Sequence, residues 1–340
     1  MTQLTYLEAA VVGLIQGVTE LFPISSLGHN VLLPALVGGS WAADLNVARS
    51  ESPYLAFVVG LHVATAIALL IYFWRDWVRI IRGFFSSIGH LVRPEEGTSR
   101  WQLQSADQRL AWMIIVATIP VGLAGLKFEH EFRVLFGKPI RAAIFLVING
   151  LILLAGEFFR RKASVRADEE IAQERELVAV GGSRRTGTAR HAAGHQAERE
   201  AEYELGVQSD QRLSTQGYLS AFLIGLAQIL ALLAGISRDG VAMVAGMFRG
   251  LSREDAARFA FLLATPVILA AGLLKVPDLM GPLGNGIRGQ VLVGSILSGV
   301  GAYLSVRFLI RYFRTRTLTP FAIYCIAVGL ASAVYLGFIK

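Results

Sequence analysis

The chain has 340 residues, 54% of them hydrophobic, with a mean hydropathy of +0.53 and a formal charge of +7. Long apolar runs with few charges exclude an ordinary soluble domain and mark an integral membrane protein. The positive excess lies beside apolar runs, where it sets orientation and meets anionic lipid, so the expected partner is a bilayer and not nucleic acid. Cys325 is the single cysteine and lies in an apolar run, so no intramolecular disulfide forms and no metal cluster is suggested.

An apolar run from Tyr6 to Ile15 opens the chain, and another runs from Val31 to Val37. The N-terminus lacks the basic lead and cleavage site of a signal peptide, so the first apolar segment is expected to be retained. A Gly/Ser/Ala-containing connection, Gly38 to Ser52, leads to a span near Tyr54–Trp74. Arg75, Arg79, Arg82, Arg93 and Arg100 then predict a cytoplasmic loop. Spans are predicted near Leu110–Leu126 and Ile140–Phe159, with Pro120 as a kink and a polar turn from Lys127 to Pro139. Arg160 to Gln216 is rich in Glu, Arg, Ala and Gly and reads as a solvated cytoplasmic linker with short helical pieces. Apolar sequence resumes at Tyr218, and three further spans are predicted near Ala256–Leu274, Gln290–Ile310 and Leu318–Phe338. Arg311, Arg314 and Arg316 mark the cytoplasmic side between the last two.

Between the first two apolar runs stands Gln16-Gly17-Val18-Thr19-Glu20-Leu21-Phe22-Pro23-Ile24-Ser25-Ser26-Leu27-Gly28-His29. Ionisable groups at membrane depth are costly and mark function. Gln16 and Glu20 are four apart and share one helix face. Pro23 ends or breaks the helix, and Ser25 or Ser26 caps a second one. The freed N–H groups of that second helix form an anion site, above all for phosphate.

The same pattern recurs at an offset of 212 residues. Gly13, Leu14, Gln16, Leu21, Ile24, Ser25 and Gly28 meet Gly225, Leu226, Gln228, Leu233, Ile236, Ser237 and Gly240. Each copy precedes three spans. The predicted fold is therefore an all-α integral membrane protein built as an inverted repeat. Residues 1–159 form the first membrane repeat, 160–216 the hydrophilic linker and 217–340 the second repeat. Each half is a re-entrant helix hairpin plus three transmembrane helices, and the two breaks meet mid-membrane. Glu20, Ser26 and His29 would then face Ser237 and Arg238.

Arg238, at a helix start inside the membrane region, requires an anionic partner, either Glu20 or a bound phosphate. Ser26 lies three residues before His29, so the imidazole is placed to take the hydroxyl proton and activate a nucleophile. Glu20, with Gln16, would orient His29 or hold a divalent cation through oxygen. These groups suit phosphoryl transfer to serine or water, with Arg238 stabilising the developing charge. His62 reads as a packing or minor pocket residue, Asn149 and Gln228 as interhelical hydrogen-bonding groups, and His191 and His195 as part of a solvated face.

Gln16-x-x-x-Glu20 followed by Pro23-x-Ser25-Ser26-x-Gly28-His29 resembles the first signature of the bacterial undecaprenyl-pyrophosphate phosphatases. Gly235-x-Ser237-Arg238-x-Gly240 resembles their second. The resemblance implies hydrolysis of undecaprenyl pyrophosphate to the monophosphate, recycling the lipid carrier of cell-wall synthesis and conferring bacitracin resistance. It implies a divalent cation, Mg or Ca, with Glu20 and Gln16 as its ligands. Ser26, His29, Glu20 and Arg238 match essential positions, with Ser26 the nucleophile. Ser25, Gly28, Ser237, Gly240 and Asp239 are expected to contact the polyprenyl pyrophosphate. The implied location is the bacterial inner membrane, multi-pass, with the site open to the outer face; the sequence is compatible with an oligomer. Three positions depart from the pattern: Gln16 stands where many members have Glu, Ala234 where Pro is usual, and Asp239 where a second Ser is usual. The same architecture also serves transport, so a transporter or flippase of a polyprenyl phosphate or small anion is the alternative.

Overall fold

The computed structural model describes residues 4–45, 53–92, 103, 105–136, 138–178, 195–281 and 285–339. It is all-helical, with no strand among those residues. Five helices are each long and apolar enough to cross a membrane, and two bent helix pairs raise the number to as many as seven.

The first half begins with α1 (Tyr6–Thr19), capped by Thr5, whose hydroxyl accepts from Glu8 N while the Glu8 carboxylate accepts from Thr5 N. The chain breaks through Pro23 and restarts as α2 (Ser26–Val37). A short α3 (Gly39–Asp44) precedes α4 (Pro53–Tyr72) and α5 (Trp74–Val92). Helices α6 (Ala106–Phe136) and α7 (Pro139–Val178) follow, then α8 (His195–Ser214). The second half runs through α9 (Tyr218–Ala227), a 3-10 turn (Gln228–Leu232) and α10 (Arg238–Phe248). Helices α11 (Arg253–Met280), α12 (Arg288–Thr315) and α13 (Thr319–Val334) complete it.

The packing is reciprocal. Helix α1 lies along α12, and α9 lies along α6; α4 packs on α11, and α7 on α13. In lipid, helices associate through close backbone approach at small residues. A Cβ on Gly13 would stand 2.4 Å from the Gly294 carbonyl oxygen, and one on Gly225 would stand 2.1 Å from that of Ala117. Gly13 and Gly225 are equivalent positions of the sequence repeat, and both mark a tight crossing.

Three expectations change. Arg75, Arg79 and Arg82 lie on α5 and not in a loop, because α4 and α5 join with a bend of 83° and the chain stays helical; Arg93 and Arg100 lie outside the described residues. The turn expected from Lys127 is helical as far as Phe136. Within the segment read as a solvated linker, α8 packs against α6 and α11, with Ser209, Asp210 and Leu213 buried. Its polar composition deceives because the buried carboxylates have partners. Asp210 accepts from Arg258 Nε at 2.7 Å and also contacts Arg79, and Arg258 reaches Asp76 at 2.8 Å. Arg212 pairs with Asp255 at 2.7 Å. Unpaired, such groups would not be buried. His195 opens α8, and His191 lies outside the described residues.

Candidate active site

The two breaks touch. Ser25 is the N-cap of α2, and its hydroxyl accepts from Gly28 N at 3.2 Å. Ser237 is the N-cap of α10 and accepts from Gly240 N at 3.1 Å. The repeat thus reproduces the cap, and it settles the choice between Ser25 and Ser26. Ser25 has φ +68°, the one non-glycine residue with positive φ among the described residues. Such a conformation costs about 1–3 kcal/mol and persists only when its surroundings enforce it. Here the Ser25 hydroxyl also accepts from Gly235 N, at 3.2 Å, which fastens one break to the other. Gly28 permits this approach, since a Cβ there would lie 2.9 Å from Gly235 Cα.

A third helix clamps the pair. Asn149 of α7 is fully buried; its amide donates to the Pro23 carbonyl at 2.9 Å and accepts from Ser237 N at 3.0 Å. One side chain therefore bonds both breaks, beyond the interhelical role expected of it.

The cap places Ser26 and Arg238 at the first positions of α2 and α10. The Ser26 hydroxyl donates a short hydrogen bond to Glu20 Oε2. Gln16 Nε2 donates to the same oxygen at 2.9 Å, and Arg238 Nη2 donates to Oε1 at 3.3 Å. Arg238 also donates to the Ala264 carbonyl at 3.3 Å and lies 3.2 Å from Asp239 Oδ1. Glu20 is thus the hub between a hydroxyl from one break and a guanidinium from the other.

His29 takes a different place. Its Nδ1 donates to the Ser25 carbonyl at 2.8 Å, so Nε2 is the acceptor, and Tyr324 O–H donates to it at 2.8 Å. The imidazole is turned to α13; the hydroxyl that spacing assigned to it is bonded to Glu20 instead. In its stead His62 enters the network. Its Nε2 accepts from Gln16 Nε2 at 3.3 Å and lies 3.5 Å from Glu20 Oε2. Its Nδ1 donates to the Val58 carbonyl at 2.8 Å. His62 and Tyr324 are the site residues that sequence reading missed. An ionisable side chain within an apolar span was the available signal for His62; a tyrosine in α13 carried none.

The donor set has a bearing on a cation. Among the described residues no cluster of three or more His, Cys, Asp or Glu is placed to hold a metal. Gln16 Oε1 accepts from Asn30 at 2.7 Å. Asp239, fully enclosed, has both carboxylate oxygens without a hydrogen bond. A magnesium-type ion takes one or two carboxylates with its own waters and substrate phosphates, so Asp239 and Glu20 are the side chains that would have to supply the carboxylates.

Fold and site together define a multi-pass membrane protein with a serine, a carboxylate and an arginine gathered at two opposed helix starts, an arrangement for handling a phosphate group. The family model described as bacitracin resistance protein BacA matches residues 9–331, and the chain belongs to that family. It is 57% identical over 335 residues to the undecaprenyl-diphosphatase of Mycolicibacterium paratuberculosis, covering 98% of both chains. It is 53% identical over 356 residues to undecaprenyl-diphosphatase 2 of Frankia alni, again covering 98% of both. With undecaprenyl-diphosphatase 2 of Chromobacterium violaceum it shares 37% over 334 residues, 97% of this chain and 98% of the other. These names describe a hydrolase and lend no support to the transporter alternative.

Proposed function

We propose that this protein hydrolyses undecaprenyl pyrophosphate to undecaprenyl phosphate and inorganic phosphate, the activity for which its relatives are named. The observation that carries the reading is the hydroxyl–carboxylate–guanidinium chain Ser26–Glu20–Arg238 joining the two breaks.

Ser26 Oγ attacks the terminal phosphorus, and its proton passes to Glu20, its hydrogen-bond acceptor, not to His29. The bond between the bridging oxygen and that phosphorus breaks, and undecaprenyl phosphate leaves. Glu20 gives its proton to the departing undecaprenyl phosphate. Water then attacks the phosphoserine phosphorus and passes a proton to Glu20. The Oγ–P bond breaks, Ser26 Oγ takes that proton back, and inorganic phosphate is released. Arg238 and the N–H groups at the starts of α2 and α10 stabilise the charge on the phosphoryl oxygens. Gly28 and Gly240 let the breaks pack closely, Ser237 caps α10, Ser25 holds the breaks in register, and His62 and Gln16 fix the Glu20 carboxylate. His29 is held by Tyr324 and the Ser25 carbonyl. A divalent cation, when bound, would neutralise phosphate oxygens; Glu20 and Asp239 are the carboxylates that would hold it.

In this reading the halves 1–159 and 217–340 are inverted repeats, supported by the reciprocal pairing of α1 with α12 and α9 with α6. The protein lies in the bacterial cell membrane, and the site opens to the outer face. The arginine-rich ends of α5 and α12, cytoplasmic by their charge, lie toward the other side. Undecaprenyl pyrophosphate added to purified protein is expected to release inorganic phosphate, and chelator to suppress release. Ser26→Ala and Arg238→Ala should each abolish it while the protein stays folded. Full release by either variant would refute the assignment.

A further inference from the structure

A polar cavity lies where the α4–α5 corner meets α8, α11 and α12. Its volume is about 510 Å³. Along α4 it begins near Tyr72, ten residues beyond His62, about 15 Å at the helical rise. None of Glu20, Ser26, His29, His62 and Arg238 lines it, so it is a cavity distinct from the catalytic residues.

Its charge is unbalanced. Five guanidiniums line it, against the carboxylates of Asp76, Glu202 and Glu254. Three of the five are matched. Arg258 is paired with Asp76 and Asp210, Arg311 with Glu202 at 3.3 Å, and Arg314 with Glu254 at 3.1 Å. Arg75 and Arg307 have no carboxylate partner among the described residues. Arg75 is held over the rings of Trp74 and Tyr203, 5.5 and 5.4 Å from their centroids. A guanidinium fixed on aromatic faces still presents its N–H edge to an anion.

The surroundings locate the cavity relative to lipid. Helix α5 leaves α4 at 83°. Val78, Ile81, Phe85 and Ile88 form one exposed apolar stripe along it, while Ile80, Gly83 and Ser87 face inward. A helix turned off the span direction, apolar on its free side and arginine-bearing on its flank, lies in the bilayer interface. Ile71, exposed and apolar, lines the cavity, and Leu304 is exposed on α12 beside Arg307, as is Phe308, whose ring also stacks on Phe22. The cavity thus sits at headgroup level with an apolar flank for acyl chains.

We propose that this cavity binds a phosphate-bearing anion, supplied by the headgroup of an anionic phospholipid, with Arg75 and Arg307 as its ligands. Neither residue belongs to the catalytic machinery, and the proposal stands apart from the phosphatase reading. The test uses the full-length protein in vesicles of phosphatidylcholine with and without phosphatidylglycerol, extracted gently, with retained lipid counted by native mass spectrometry. Wild type should retain phosphatidylglycerol in preference to phosphatidylcholine. R75Q/R307Q should retain it about thirty-fold more weakly, from about 1 kcal/mol for each arginine near a lipid surface. Arg288→Gln, at the other end of α12, should retain it as wild type does. Both residues are exposed, and the thermal midpoint in phosphatidylcholine alone reports whether the double variant folds; if it does not, Arg307→Gln replaces it. Equal retention by wild type and variant overturns the proposal, and so does an equal loss in Arg288→Gln. A third arm adds millimolar inorganic phosphate to pure phosphatidylcholine. Retained phosphate without phosphatidylglycerol binding overturns the lipid source.

Discussion

Asn149→Leu isolates the contact between the two breaks. The substitution leaves Ser26, Glu20 and Arg238 themselves unaltered. It removes the donor to the Pro23 carbonyl and the acceptor for Ser237 N, 2.9 and 3.0 Å from the amide. Both backbone groups are buried, and leaving each unsatisfied costs about 1–3 kcal/mol, so the joint cost is about 2–6 kcal/mol. A leucine has the same branched outline but is bulkier, so overpacking of this fully buried site adds to that cost. The gap between breaks should widen, drawing Arg238 away from Glu20 and Ser26. A displacement of about 1 Å at a reacting centre lowers the rate about 10²-fold. Phosphate release from undecaprenyl pyrophosphate measures the rate, and thermal unfolding in detergent measures the stability. A variant with wild-type rate and wild-type midpoint would show that the Asn149 clamp does not hold the site together.

Glu20→Gln should lower kcat by about 10²–10⁴-fold, the usual contribution of a general base. His29→Gln, which chiefly loses a bond to Tyr324, should fall less; an equal fall in both would return the proton to His29. Gly225→Val places a side chain against the Ala117 carbonyl at the α9–α6 crossing, and it should destabilise by at least about 1–3 kcal/mol. An unchanged thermal midpoint would contradict the close packing. Arg258→Met strips Asp210 and Asp76 of a shared cation, for which about 3–5 kcal/mol is expected. Limited proteolysis should then cut α8 first, and continued resistance there would disprove its ionic docking.

Much of the site was legible in the chain because its chemistry comes in short, local motifs. Glu20, Ser26 and Arg238 stand in two stretches whose apolar flanks make any polar residue conspicuous. A cap at the first break was legible only as a choice between Ser25 and Ser26, and the structure decided it for Ser25. The assignment of His29 was not legible. Sequence spacing allows a bond from Ser26 to His29, but it does not reveal that Tyr324, almost three hundred residues later, occupies the imidazole. His62 was misread for the same reason, because its partners Gln16 and Glu20 lie on another helix. Helix α8 was read as solvated because its polar residues are buried only by virtue of arginines on α5 and α11.

The amino-acid order alone determined that the chain enters a membrane, where it is interrupted, and which ionisable groups stand at the interruptions. Those properties follow from local hydropathy, proline and capping. Tertiary packing decided which carboxylate the serine hydroxyl bonds and which side chains clamp the breaks. Hydrogen-bond partners depend on distances between helices far apart in sequence, and those distances are set by glycine crossings and buried charges acting together.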